Sequence, residues 1–284
     1  MGVTTKINDR ERAVIKIGGS VLPNDEAYDY QARRVAAFVE NGGFERVYVV
    51  VSARKGKTDA LADSLCGLAS GTHTNSQREE LRSVLKRGDY SEGNHDAVET
   101  WDNSSIANYF WERGELESTM RFGRALGELC CHFHLLTQTQ TGFPIVADTH
   151  YLHADVDFEA SQQKASNLDN LEMRIVLIPG FAAQKHNGEV VLLGRNASDY
   201  VAAMIGWLDP LVNWVIYLKN VEGVFRDFGG PTQKLVERVS SSELRAMGPV
   251  KVLDERCLDA MRDYKIRVQH QDSEIGVGGT VIYT

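Results

Sequence analysis

The sequence predicts an α/β fold built on a parallel sheet covered by helices, and three observations carry that prediction. Residues 13–17 (AVIKI) form a short β-type run that ends at Gly18-Gly19-Ser20. Residues 26–41 follow with Ala32, Val35, Ala36 and Val39 at helical spacing, and Gly42-Gly43 closes the segment as glycine often does past a helix end. Residues 46–51 (RVYVVV) are a nearly continuous apolar run, the pattern of a strand buried on both faces. Strand, glycine turn, helix and buried strand make the βαβ rhythm of such a sheet.

The remaining elements follow in order. Residues 72–101 are polar and rich in Ser, Asn, Glu and Arg, and read as one surface helix at 77–86 and a loop at 88–95. A helical pattern resumes over 116–136. Strands are expected at 144–147, 174–178, 190–193, 214–218, 266–268 and 280–283, and helices at 198–208, 241–247 and 252–264. No internal repeat and no low-complexity linker divides the chain, so residues 1–284 are expected to form one domain.

Composition limits the function classes. With 284 residues, a 43% hydrophobic share and 25% charged residues, the chain can bury a substantial core. A formal charge of −8, from 31 basic against 39 acidic side chains, argues against a nucleic-acid scaffold but says nothing of a local cationic pocket. Cys66, Cys130, Cys131 and Cys257 show no metal spacing, and Cys130 and Cys131 sit in an apolar stretch as small core residues. His132 and His134 flank Phe133 in the helical pattern and do not share a face. Trp101, Trp111, Trp207 and Trp214 read as core or interface aromatics. The N-terminal dozen residues carry no apolar run and no stretch approaches a membrane span, so a reducing cytoplasm and no membrane partner are expected.

Four clusters could carry chemistry. Lys16 ends a strand just before Gly18, Gly19 and Ser20, so an ammonium stands beside a turn of exposed N–H groups, the kind of nest that holds phosphate oxygens. Taken alone, the same residues are equally an ordinary turn. Gly194 to Tyr200 links a strand to a helix, where Ser198 or Asp199 is either an N-cap or part of an anion-binding helix start. Lys251 opens a helical run, and by itself would be a surface lysine. Gly114 to Thr119 places Glu115 either in a capping arrangement or opposite an amino group.

In this order the clusters resemble the amino-acid kinase family, and within it most of all the catalytic domain of aspartate kinases. The first segment, KIGGSV, is similar to K-F-G-G-[TS]-S-V but one residue shorter, as in other branches such as isopentenyl phosphate kinases. V-V-S-A stands at Val50 to Ala53, G-E-x-x-S at Gly114, Glu115 and Ser118, and G-F at Gly180-Phe181. L-G-R-G-G-S-D-Y stands at Leu193 to Tyr200, D-V-x-G-V at Asn220 to Val224, G-A-K-V-L-H loosely at Gly248 to Asp254, and G-G-T at Gly278 to Thr280. The similarity spans about residues 13–284.

The resemblance implies a three-layer αβα sandwich with a mostly parallel central sheet. It implies an acceptor-binding half at about 13–180 and a nucleotide-binding half at about 181–284. It further implies ATP-dependent transfer of the γ-phosphoryl group to a carboxylate of aspartate or a related amino acid, with ATP and Mg²⁺ as cofactors. Lys16, Asp199 and Lys251 match the catalytic positions. Gly18, Gly19, Ser20, Gly194, Ser198, Lys219, Gly223 and Val224 match positions at the nucleotide and its phosphates. Ser52, Thr58, Glu115 and His150 match the substrate positions, and no side-chain metal site is implied. A homodimer is implied by relatives only. No ACT regulatory domain follows the G-G-T strand within these residues, so a bare catalytic unit is expected.

The chain departs from the aspartate-kinase pattern in three places. His150 replaces an arginine, Asn196-Ala197 replaces paired glycines, and Leu218-Lys219 replaces [ST]-D, with Asp254 in place of histidine. The short turn and His150, and the departures at Lys219 and Asn196, keep two other outcomes open. One is a phosphate, phosphonate or alcohol acceptor met by Arg54, Lys55 and Lys57; the other is a nucleotide-binding homologue without catalysis.

Overall fold

The structure, a computed structural model, describes residues 11–68, 103–148, 150–248 and 252–284. The surface helix expected at 77–86, the loop at 88–95, Trp101, Lys251 and the side chain of Cys66 lie outside the described residues.

The strands are β1 (Arg12–Ile17), β2 (Arg46–Val51), β3 (His134–Leu135), β4 (Val146–Ala147), β5 (Ile175–Pro179), β6 (Ala182–Lys185) and β7 (Val190–Leu192). They continue with β8 (Val212–Lys219), β9 (Phe225–Arg226), β10 (Lys234–Leu235), β11 (Arg238–Ser240), β12 (Lys265–His270) and β13 (Thr280–Tyr283). The helices are α1 (Asp25–Gly42), α2 (Lys57–Leu68), α3 (Asn103–Phe110), α4 (Glu117–Glu128), α5 (Phe158–Lys164), α6 (Ala197–Leu208), α7 (Ser241–Ala246) and α8 (Arg256–Asp259).

The main sheet has the order β11-β13-β12-β8-β1-β2-β5-β3, and its central strands β12, β8, β1, β2, β5 and β3 are all parallel. Only the β12–β13 pairing is antiparallel, so β13 and β11 run against the rest. Alternate residues of the central strands feed two cores. Ala13, Ile15 and Ile17 of β1 and Val47, Val49 and Val51 of β2 pack under α1 and α4. Val14 of β1, Tyr48 and Val50 of β2 and Tyr217 of β8 pack under α3 and α6. This is the expected αβα sandwich with a mostly parallel centre. A smaller sheet, β4-β6-β7, shares the second core, so the strands expected at 144–147 and 190–193 belong to it and not to the main sheet.

Helix α1 starts where Asn24 accepts the Ala27 N–H at 3.0 Å and ends at Gly43, φ 66°. Helix α6 is buried along nearly its whole circumference, which fits its all-round apolar sequence VAAMIGWL.

Three expectations are corrected. The helix expected over 116–136 ends at Glu128, because Cys130 adopts φ 59° and the Cys131 and Cys130 N–H groups close on Leu126 and Gly127 carbonyls, a Schellman stop. Cys130 is therefore exposed rather than core, Cys131 is half-buried, and His134 lies on strand β3. The helix expected over 252–264 shrinks to α8, because Asp254 takes the Arg256 N–H at 3.0 Å and fixes a turn. Gly114 to Thr119 is not a helix start: residues Trp111–Leu116 form one wide π-turn that joins α3 to α4 without a side-chain cap.

Candidate active site

The carboxyl ends of β1 and β8 lie side by side, with Ile17 opposite Leu218, while β1 connects onward to β2 on its other edge. A reversal of strand order at the carboxyl edge of a parallel sheet opens a crevice there. In this chain the crevice is a cleft of about 820 Å³. Lys16, Gly18, Gly19, Ser20, Ser52, Thr58, Glu115, Ser198, Asp199 and Lys219 all line it, although they come from sequence positions two hundred residues apart.

Its floor is a charged triad. Lys16, 6% exposed, stands near the end of β1, and Asp199 sits in the first turn of α6. Lys16 Nζ lies 2.6 Å from Asp199 Oδ1 as an ion pair bent outside hydrogen-bond angles. Lys219, the last residue of β8, donates a hydrogen bond of 2.6 Å to Asp199 Oδ2. Burial would push the Asp199 carboxyl up, but the two ammonium groups hold it below its ordinary value. Burial pushes Lys219 down, and the like charge of Lys16 adds to that effect. Tyr217 Oη donates to the Asp199 carbonyl at 3.0 Å, which pins the helix start to β8.

The N-terminus of α6 opens on the same cleft. Its cap is Asn196 at φ 64°, a conformation asparagine tolerates, so Ser198 and Asp199 belong to the first turn and neither is the cap. Most first-turn N–H groups of a helix have no intrahelical acceptor and carry the positive end of its dipole, although here the Asp199 N–H closes on the Asn196 carbonyl at 3.2 Å. Opposite them runs the Gly18–Ser20 turn. A Cβ on Gly19 would stand 2.2 Å from the Ala53 carbonyl oxygen, so only glycine lets the two loops meet.

Glu115 forms the far wall. It projects from the π-turn, is fully buried, and accepts the Ala53 N–H at 2.8 Å. Burial pushes its pKa up to about 8, against the pull of Lys16 and the Ala53 N–H. Ser52 Oγ is buried in the same wall without a hydrogen-bond partner. Phe181, also on the cleft, is held at φ 68°, a strained conformation for a bulky side chain.

Some expected residues lie elsewhere. His150 is outside the cleft: its side chain is exposed, and both its N–H and its ring are captured by Asp148 two residues back, at 3.0 and 2.8 Å. Gly194 does not line the cleft and abuts the His153 ring. Gly223 and Val224 pack on Thr280, whose Oγ1 accepts the Val224 N–H at 2.8 Å.

Two cleft arginines escaped the sequence reading. Arg195 reaches the cleft from the β7–α6 connection and pairs with Asp59 at 2.9 Å. Its signal stood in the segment 193–200, as the one cation beside an anion-binding helix start. Arg256 is gripped by Asp254 at 2.7 Å, donates to the Leu193 carbonyl at 2.7 Å, and lies over the Tyr200 ring. Only the folded position of α8 brings it there.

Among the described residues no three His, Cys, Asp or Glu side chains converge as a metal site, and no helix is long and apolar enough to cross a membrane. The chain's relatives fit this architecture. The aspartokinase of Chlamydia trachomatis is 28% identical over 209 residues, 69% of this chain and 46% of that protein. The bifunctional aspartokinase/homoserine dehydrogenase of Buchnera aphidicola is 31% identical over 121 residues, 41% of this chain and 15% of that protein. The chain thus spans less than half the length of either. Among solved structures, aspartokinase III of E. coli in complex with aspartate and ADP superposes with a TM-score of 0.72 at 20% identity, over 96% of this chain and 65% of that one. UMP kinase from Bacillus anthracis superposes with a TM-score of 0.56 at 16% identity, over 96% of each chain. At such identities the structures speak for the fold, which kinases of different names share. The sequence model of the amino acid kinase family matches residues 11–269, nearly the whole described fold and every residue of the triad. The chain belongs to the amino acid kinase family.

Proposed function

We propose that the chain transfers the γ-phosphoryl group of ATP to the side-chain carboxylate of aspartate or a related amino acid. The observation that carries this reading is the Lys16–Asp199–Lys219 triad facing Glu115 across one cleft. In the reaction a carboxylate oxygen forms a bond to the γ-phosphorus, the bond to the β,γ-bridging oxygen breaks, and ADP leaves. The nucleophile is ionised at neutral pH and needs no base, so the protein's task is position and charge. Lys16 and Lys219 neutralise the equatorial and leaving oxygens, and Asp199, paired with both, offsets the repulsion between the two buried ammonium groups. The N–H groups of the Gly18–Ser20 turn and of α6 supply further donors. Mg²⁺, which transfer from ATP requires, would come with the nucleotide and be held mainly by its phosphates and water.

Glu115 would receive the acceptor's ammonium, and Arg195, with its planar fork, the α-carboxylate. Ser52 Oγ has a free hydrogen bond for the same ligand. In this scheme residues of about 13–180 bind mainly the acceptor and those of about 181–284 mainly the nucleotide. Lys251 remains proposed at the nucleotide phosphates on its resemblance alone. A phosphorylated acceptor is less well supported, because Arg54 and Lys57 open onto a separate pocket.

The test is ADP release over aspartate, glutamate, phosphorylated and alcohol acceptors, with hydroxylamine present to trap an acyl phosphate as its hydroxamate. Hydroxamate formation from aspartate that Lys16→Ala abolishes is the expected result. ADP release only with phosphorylated or alcohol acceptors, or none at all, would sink the reading.

A further inference from the structure

Beside the transfer cleft lies a second pocket of about 420 Å³ that shares no lining residue with it. Five cationic side chains face it: Arg54, Lys57, Arg113, Arg121 and Arg124, against two carboxylates. Asp25 pairs with Arg54 at 3.8 Å and Arg121 at 3.2 Å, and Glu117 pairs with Lys57 at 3.2 Å. Arg113 and Arg124 have no acidic partner among the described residues, and Arg121 Nε is buried without an acceptor. Helical spacing gathers Arg113, Arg121 and Arg124 on one face of the π-turn and α4. Like charges crowded in this way repel one another unless an anion joins them, and four of the five are guanidinium groups, whose forks match carboxylate and phosphate oxygens.

We propose that this pocket binds a small polyanion bearing carboxylate or phosphate oxygens, at a site distinct from the transfer cleft. The volume lies at the small end of the range for ligand pockets. The partition between the two sites is a hydrogen-bonded wall. Ser118 Oγ and Tyr28 Oη, on the pocket side, lie 2.7 Å apart, and Ser118 Oγ donates to the Ser52 carbonyl at 2.7 Å. Ser52 lines the cleft. The π-turn likewise carries Arg113 on the pocket and Glu115 on the cleft, two residues apart. An anion held by Arg113 therefore bears on the wall that positions Glu115.

Calorimetric titration of the full chain with citrate, and separately with pyrophosphate, tests the site. Binding of one or both is expected, weakened about tenfold or more in Arg113→Gln/Arg124→Gln and unchanged in Lys16→Ala. Preference between the probes identifies the oxygen chemistry, and affinity should fall with salt. Both substituted arginines are exposed, so the double variant keeps the fold, checked by its circular dichroism. No binding of either probe, binding untouched by the double variant, or binding lost in Lys16→Ala would overturn the proposal. A shift in acceptor KM with the bound probe is a further consequence; it rests on the acceptor reading above, whereas the titration does not.

Discussion

Lys219 donates a 2.6 Å hydrogen bond to Asp199 Oδ2, which joins the last residue of a central strand to the first turn of a helix that begins twenty-two residues earlier. The pairing places a second ammonium beside Lys16 on the same carboxylate. Lys219→Met should lower kcat by about a hundred- to a thousandfold, the usual cost of one transition-state donor, with a smaller change in the KM for ATP. Steady-state kinetics settle it: a kcat within about threefold of the parent would remove Lys219 from the machinery.

Glu115 should make the proposed activity depend on pH. Its pKa of about 8 leaves it mostly protonated at pH 7 in the free protein, and ionising it there costs about 1 kcal/mol. An acceptor ammonium needs the ionised form, so kcat/KM for an amino-acid acceptor should rise with pH through about 8. In Glu115→Gln that limb should vanish, leaving a low and flat profile. A parent profile already flat between pH 6 and about 9 would contradict the assignment.

The two glycines after Lys16 are not equivalent. A Cβ on Gly18 would lie 3.5 Å from Lys16 Nζ, an ordinary contact, whereas one on Gly19 would meet the Ala53 carbonyl oxygen at 2.2 Å. Gly18→Ala should fold normally. Gly19→Ala must push the β2–α2 loop away and should lose about 1–3 kcal/mol of stability along with most activity. Chemical denaturation of the pair, with comparable loss in both, would disprove the distinction.

Arg195→Lys keeps the charge but not the fork. The acceptor KM should rise about tenfold or more while kcat changes less, because the contact proposed for Arg195 is with the α-carboxylate and not with the transferring group. A kcat loss with unchanged KM would place Arg195 on the phosphoryl group instead.

At the opposite end of β1, Arg12 reaches Asp209 at 3.0 Å, and Tyr48 Oη donates to the same carboxylate at 2.6 Å, all three buried. Asp209→Ala strands the guanidinium and should cost about 3–5 kcal/mol in urea unfolding. Arg12→Met combined with Asp209→Leu should recover much of that loss, since neither member of the pair is then left without its partner. A single variant as stable as the parent would show that Glu45 and Asp169 suffice for Arg12.

The sandwich was legible because its cues are local. RVYVVV is buried on both faces, the α1 stripe at 32, 35, 36 and 39 is helical, and glycines stand where the chain turns. Much of the cleft was legible too, because Lys16, Gly19, Glu115 and Asp199 each sit in a short segment with its own pattern. His150, expected at the substrate, lies outside the cleft with its ring on Asp148 two residues away, a contact that position in a motif does not reveal. The stop at Cys130 was missed because its left-handed conformation breaks a pattern that stays apolar through Leu136.

By itself the sequence determined the parallel sheet, the glycine turn after β1 and the polar start of α6, since each follows from side-chain periodicity and glycine within a few residues. Only the tertiary structure decided that Lys16 and Lys219 share one aspartate, that Arg195 and Arg256 face the cleft, and that five cations gather beside it. Those facts depend on the lateral order of strands and on the burial it imposes. Distances between segments far apart in sequence are set by packing, and no local pattern encodes them.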